Sequence, residues 1–198
     1  FPQTARPTLR IDFVSDVVCP WCAVGLSALE RALVQVRDEM SEELHFQPFE
    51  LNPDMAPEGV ASAPYLKAKY GLSDDQLAAN AARLVERGAA EGFAFGKRTH
   101  IWGTFDAHRL LHWAGEQGES RQLSLKHALL GAYFTDGEDV SSADTLVRVA
   151  EGTGLDGERA REIGVDHRVA AELHHDHLVA EALEPRQRLD EHGGLVGA

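Results

Sequence analysis

Leu9-Arg10-Ile11-Asp12-Phe13-Val14-Ser15-Asp16-Val17-Val18-Cys19-Pro20-Trp21-Cys22 is the stretch that decides the fold, and it ends on the only two cysteines of the 198-residue chain. Leu9, Ile11 and Phe13 alternate with polar residues at period two, the pattern of a half-buried strand. Ser15-Asp16 turns the chain. Beyond Cys22, the apolar residues Leu26, Leu29, Leu33 and Val36 recur in steps of three and four, which predicts an amphipathic helix ending near Met40. Leu44-His45-Phe46-Gln47-Pro48-Phe49-Glu50-Leu51 alternates again and predicts a second strand. Strand, helix and strand compose a βαβ unit of about the usual size.

A C-x-x-C pair at the strand-to-helix turn of such a unit is the layout of a thiol–disulfide redox site. Two intervening residues let one turn of helix bring both sulfurs within bonding distance. Unpaired N–H groups and the positive end of the helix dipole favour a thiolate at the first sulfur. Pro20 fits, because a proline in the first turn loses no helical hydrogen bond. Cys19 is therefore expected to be the attacking thiolate, exposed at the helix start, and Cys22 the resolving thiol, one turn in and more buried. Free thiols ionise near pKa ~8.5, and such motifs bring the first thiol to roughly 3.5–7.5. Pro20 and Trp21 tune this poise, and Trp21 offers an apolar lip to a peptide or unfolded substrate.

Further along, Asn52 to Pro64 holds three prolines and a glycine and reads as a loop. Tyr65 to Tyr70 is a short helix stopped by Gly71. Ser73-Asp74-Asp75-Gln76 is a capping box opening a helix through Leu77, Ala81, Leu84 and Val85, fraying at Gly88 or Gly92. Thr104 and Asp106 start another, with Leu110, Leu111, Trp113 and Ala114 inward and Gly118 as its stop. Gln122 to Phe134, Ser141 to Gly152 and Asp166 to Leu183 complete the helices. No repeat or low-complexity tract interrupts the series.

Four separated motifs together carry a family resemblance. They are Ser15-Asp16-Val17-Val18-Cys19-Pro20-Trp21-Cys22 with Gly25, Pro48-Phe49-Glu50-Leu51-Asn52-Pro53, Thr104-Phe105-Asp106-Ala107-His108-Arg109-Leu110-Leu111, and Ala132-Tyr133-Phe134 followed by Gly137 and Asp139-Val140. In this order the chain resembles, over roughly 9 to 183, the DsbA-like thioredoxin family, and within it the FrnE-type branch related to the 2-hydroxychromene-2-carboxylate isomerases. The resemblance implies an α/β thioredoxin-like fold with a large helical insertion. It divides the chain into a βαβ unit over 1–51, an inserted helical domain over 52–165, and a return helix with an atypical tail over 166–198. Gly103 departs slightly, standing where the family pattern has asparagine.

The larger departure follows the helix expected over 166–183. There the family continues with a Gly-Val-Pro-Phe-Phe-Val-like strand whose cis-proline faces the cysteine pair. This chain reads Glu184-Pro185-Arg186-Gln187-Arg188-Leu189-Asp190-Glu191-His192-Gly193-Gly194-Leu195-Val196-Gly197-Ala198, with no β-branched or aromatic run after Pro185. The expectation is that the C-terminal part of the thioredoxin sheet is missing or divergent. Two parallel strands then leave an open edge that invites a second copy to pair as a homodimer.

The function expected is disulfide exchange with protein or peptide thiols through Cys19 and Cys22, with no cofactor beyond the redox pair and no metal. Two alternatives stay open. One is a glutathione-linked small-molecule isomerase, disfavoured because those relatives carry serine at the position of Cys19; glutathione remains a candidate co-substrate. The other is a non-catalytic relative, stopped or read out of frame near residue 184. A net charge of −13 argues against nucleic acid or an anionic membrane as partner. No apolar run approaches a membrane span, the N-terminal residues show no hydrophobic signal core, and a cytoplasmic setting is expected.

Other side chains have plainer roles. His167, His174, His177 and Glu181 share one helix face, read as solvated rather than as a metal site, and zinc on Cys19 and Cys22 is disfavoured by Pro-Trp in a helix start. His108 and His112 are read as interior or boundary residues. His100 and Trp102 fall before a helix and are read as packing more readily than as groove residues. Asp12 sits on the polar strand face, and Asp16 is read as shaping the turn before the motif rather than taking a proton.

Overall fold

A computed structural model describes residues 6–56 and 58–165. Strand β1 (Thr8–Ser15) leads through a four-residue turn into helix α1 (Pro20–Val36), which returns to strand β2 (Ser41–Pro48). The strands pair in parallel, with Ile11 opposite Leu44 and Phe13 opposite Phe46. The Phe13 and Phe46 rings meet edge to face at 5.8 Å. Leu44 and Phe46 are buried while Leu9, at the strand's start, is 45% exposed, so the apolar alternation of β1 seals the core only from Ile11 onward.

Helix α1 stops four residues short of Met40. The Val36 carbonyl accepts the N–H groups of Glu39 (2.8 Å) and Met40 (3.1 Å), closing a turn through exposed charged residues. Strand β2 accordingly begins three residues before the expected Leu44. Ser41-Glu42-Glu43 has no apolar pattern, but its backbone pairs with Thr8-Leu9-Arg10, and the hydroxyls of Thr8 and Ser41 lie 2.8 Å apart. The strand ends at Pro48, which has no N–H to continue a ladder. Phe49 and Leu51 leave the sheet.

The remaining elements are β3 (Val60–Ala61), α2 (Ser62–Tyr70), α3 (Asp74–Ala90), β4 (His100–Ile101), α4 (Phe105–Glu116), α5 (Glu119–Leu130), a π-helical turn (Gly131–Thr135), α6 (Ala143–Gly152) and α7 (Gly157–Val165). The segment expected to be loop over 52–64 thus contains β3, antiparallel to β4, and the start of α2, whose first turn accommodates Pro64 without losing a bond. The capping box of α3 is present: Ser73 Oγ accepts Gln76 N–H at 3.2 Å, and Gln76 Oε1 accepts Ser73 N–H at 2.9 Å. Helix α5 starts at Glu119, three residues early, and its end widens so that Asp136 N–H reaches the Gly131 carbonyl at 3.1 Å. Helix α7 was not anticipated, though Asp156 Oδ1 caps Arg159 N–H (2.7 Å) and Ala160 and Ile163 turn inward. The helix expected over 166–183 and the tail from Glu184 lie outside the described residues.

One apolar core runs through these elements, from Val17 and Leu26 under the cysteine turn, through Phe46 of β2, to Leu110, Leu129, Tyr133 and Ile163. Gln122, buried on α5, joins the layers with polar bonds. Its Oε1 accepts Phe46 N–H from β2 at 3.2 Å, and its Nε2 donates to the Leu111 carbonyl of α4 at 3.1 Å.

Candidate active site

The turn from β1 to α1 is built around Asp16. Its carboxylate is 1% exposed and accepts the Leu51 N–H at 2.7 Å, which ties the end of the second strand segment to the turn. His108 of α4, also buried, places Nε2 3.3 Å from Asp16 Oδ1 and 3.1 Å from the Phe49 carbonyl. Two acceptors facing one ring nitrogen fix the proton on Nε2. Burial pushes the Asp16 carboxyl up, but His108, Leu51 N–H and Thr104 outweigh it and hold it below the usual range. Burial holds His108 below its usual value against the pull of Asp16. The pair is thus a carboxylate hydrogen-bonded to neutral imidazole.

Cys19 is the N-cap of α1, with Pro20 in the first turn. Its sulfur accepts Cys22 N–H at 3.3 Å, so one orphan donor of the helix start is spent on it. Both cysteines are free thiols and both are half-buried, so the expected contrast in depth between them is absent. Their access and their protons differ instead. Cys19 lines a groove and Cys22 is not among that groove's walls. The Cys22 thiol, donating to the Cys19 sulfur, brings Cys19 down to about 7 against burial, with the Cys22 and Trp21 N–H groups assisting and Asp16 opposing. The same bond holds the proton on Cys22, whose ionisation is pushed well up, burial adding to the effect.

Lys126 of α5 completes the polar floor. It is 1% exposed, its Nζ lies 5.7 Å from the centre of the Phe46 ring, and it has no hydrogen-bond partner among the described residues. Burial brings the ammonium down to about 8, while the charges of Asp16, Cys22 and Cys19 hold it up. Its charge in turn favours a thiolate at Cys22. The sequence reading passed over Lys126. The signal was its place, four residues after Gln122 and three before Leu129, on the buried stripe of α5.

The other expected residues fall as follows. Trp21 is 53% exposed and lines the groove beside Cys19 and Pro20. Asp12 is exposed on β1 and bonded to Gln47 (2.8 Å) and Arg10 (3.3 Å), away from the buried floor. His112 is exposed near Glu116, at the outer edge of α4, so only His108 of that pair is interior. His100 stacks on Trp102 at 5.0 Å; their neighbour Ile101 lines the groove, and they do not. Among the described residues the one cluster with metal-ligand geometry is Glu43, His45 and Glu119, which includes neither cysteine. The face of His167, His174, His177 and Glu181 lies outside the described residues.

The groove, of about 590 Å³, opens between the start of α1 and helices α2 and α3. Leu51, Leu66, Leu77 and Leu84 give it apolar walls. A sulfur whose ionisation is brought to about 7 in the wall of a groove, backed by a second thiol that holds its proton, is equipped for nucleophilic exchange at sulfur.

Comparison with known proteins agrees with this architecture. The model of the DSBA-like thioredoxin domain matches residues 10–184, and the chain belongs to this DsbA-like thioredoxin family. The crystal structure of a probable DsbA oxidoreductase from Streptomyces coelicolor is similar at 35% identity and a TM-score of 0.73, covering 83% of this chain and 75% of that one. A 2-hydroxychromene-2-carboxylate isomerase shares the fold at 12% identity and a TM-score of 0.60, over 88% of this chain and 79% of its own. The uncharacterized protein YwbO of Bacillus subtilis (strain 168) is 28% identical over 151 residues, 76% of this chain and 68% of its length.

Proposed function

We propose that the protein is a thiol–disulfide oxidoreductase or isomerase acting on protein or peptide thiols through Cys19 and Cys22. The observation that carries this reading is the division of labour between the two sulfurs: Cys19 reaches the groove with its ionisation brought to about 7, and Cys22 stays protonated behind it. The Cys19 thiolate attacks one sulfur of a substrate disulfide, forming a mixed disulfide and releasing the other substrate sulfur as a thiolate. Cys22 then loses its proton and attacks Cys19 Sγ. The Cys19–Cys22 disulfide forms, the second substrate thiolate leaves, and two electrons have passed to the substrate. Run backwards, the same steps oxidise a substrate dithiol.

The loss of the Cys22 proton is the step for which the floor is arranged, with the Lys126 charge favouring the Cys22 thiolate once its bond to the Cys19 anion is gone. No cofactor enters the cycle, and glutathione suits it as a small thiol that resolves mixed disulfides. The four sequence motifs support a place in the FrnE-type branch. A chain with no cysteines beyond the redox pair suits a cytoplasmic setting. Among the described residues no helix is long and apolar enough to cross a membrane.

Trapping tests the scheme. Cys22→Ser, incubated with a disulfide-bonded protein, should accumulate a covalent adduct through Cys19 that dithiothreitol releases, and Cys19→Ser should form none. Equal adduct yields from the two variants would sink the assignment of the nucleophile.

A further inference from the structure

The groove beside Cys19 is charged oppositely to the molecule around it. The chain carries 32 acidic and 19 basic residues, yet among the described residues the groove walls hold Lys69, Arg83 and Arg98 and no Asp or Glu. None of the three is in an ion pair among the described residues. Lys69 Nζ donates to neutral acceptors, Asn52 Oδ1 at 2.6 Å and the Leu51 carbonyl at 3.1 Å. Arg98 lies over the rings of Tyr133 (5.8 Å) and Phe134 (5.5 Å), and Arg83 stands exposed on α3. Cations without a counter-ion among the described residues, gathered in a depression with low-dielectric walls, focus positive potential into it. Two large aromatic side chains of the groove, Trp21 and Tyr70, are 53% and 58% exposed. Such residues bury their rings only when a partner lies across them.

We propose that this groove docks an extended peptide segment in which Asp or Glu side chains flank the reacting cysteine. The peptide sulfur meets Cys19, its carboxylates face Lys69, Arg83 and Arg98, and its apolar side chains lie against Trp21 and Tyr70. The assignment rests on the disulfide-exchange reading above and gives it a substrate class. The occupant is a locally acidic stretch rather than a wholly acidic protein, because the net charge of −13 repels the latter on approach.

The test uses the reduced protein and three peptide disulfides that differ only in having Glu, Gln or Lys on both sides of the cysteine, with glutathione disulfide as a fourth substrate. Rates of exchange are measured by mass at low salt and at about 1 M, where the screening length falls to about 3 Å. The Glu peptide should react about fivefold faster than the Gln peptide at low salt, since each exposed charge pair contributes modestly. That advantage should shrink towards parity at high salt, and Arg83→Gln should at least halve it. Equal rates for all three peptides, or a preference for Lys, would overturn the acidic-peptide assignment and leave the exchange chemistry standing. Glutathione disulfide outpacing every peptide would overturn it in favour of a small thiol. Exchange with none of the four would remove the oxidoreductase reading itself.

Discussion

Cys19 and Cys22 are chemically identical and about equally covered, so their roles come from three or four neighbouring atoms. The N–H and thiol of Cys22 both point at the Cys19 sulfur. Asp16, already ionised and bound by His108 and Leu51, works against the Cys19 thiolate, and Lys126 supplies the opposing charge beneath Cys22. An ammonium in the core with no hydrogen-bond partner among the described residues is costly, and the fold retains it beside two sulfurs that must become anionic in turn. Its pKa in the fold, about 8, lies below that of an exposed lysine, so folding disfavours its proton. The burial cost is therefore present in full below pH about 8 and fades as pH rises towards the unfolded value of about 10.4. Lys126→Met should raise stability at neutral pH by about 1–4 kcal/mol, the range for replacing buried charge with apolar volume. It should also slow release of substrate from the Cys19 mixed disulfide and move the Cys19 alkylation midpoint upward from about 7. Thermal melts with stopped-flow exchange check both, and a destabilised variant with unchanged release would contradict this role for the lysine.

At the scale of elements, α5 joins the helical segment to the redox unit. It brings Gln122 to the free edge of β2 at Phe46, and one turn later Lys126 to the site. Replacing Gln122 by Met strands the Phe46 N–H in the core, at a cost of about 1–3 kcal/mol for one unsatisfied group. Urea unfolding measures that loss, and a change below about 0.5 kcal/mol, the range of a neutral surface substitution, would show that the bridge is not needed. The elements that the sequence revealed correctly are those whose local signals agree, such as α3 with its capping box and α4 with its apolar stripe. Boundaries slipped where tertiary pairing overrode local pattern. Ser41-Glu42-Glu43 became strand because β1 lay alongside, and β3 and β4 formed only by pairing with each other across 40 residues of chain. The cysteine motif was legible because its chemistry is local. Lys126 and Arg83 lie on α5 and α3 and Arg98 in the loop before β4, and lysine or arginine at such places reads as surface until the partner element is known.

For the molecule as a whole, a strongly acidic chain carries its reactive sulfur in the wall of a groove whose charged residues, among those described, are all cationic, and a single core connects that site to α7. The βαβ unit and the helices that cover it hold the described part of the site without any structural disulfide, so both cysteines are available for redox work. Such a pair must cycle between dithiol and disulfide at a potential that biological thiols can reach. A glutathione redox titration of the 198-residue protein, with Cys19 and Cys22 followed by alkylation and mass, measures this directly. A reversible two-electron transition between roughly −270 and −120 mV, the span of known oxidoreductases, is the predicted result. Cysteines that stay reduced, or oxidise without returning, across that window would contradict the assignment of Cys19 and Cys22 as a working redox couple.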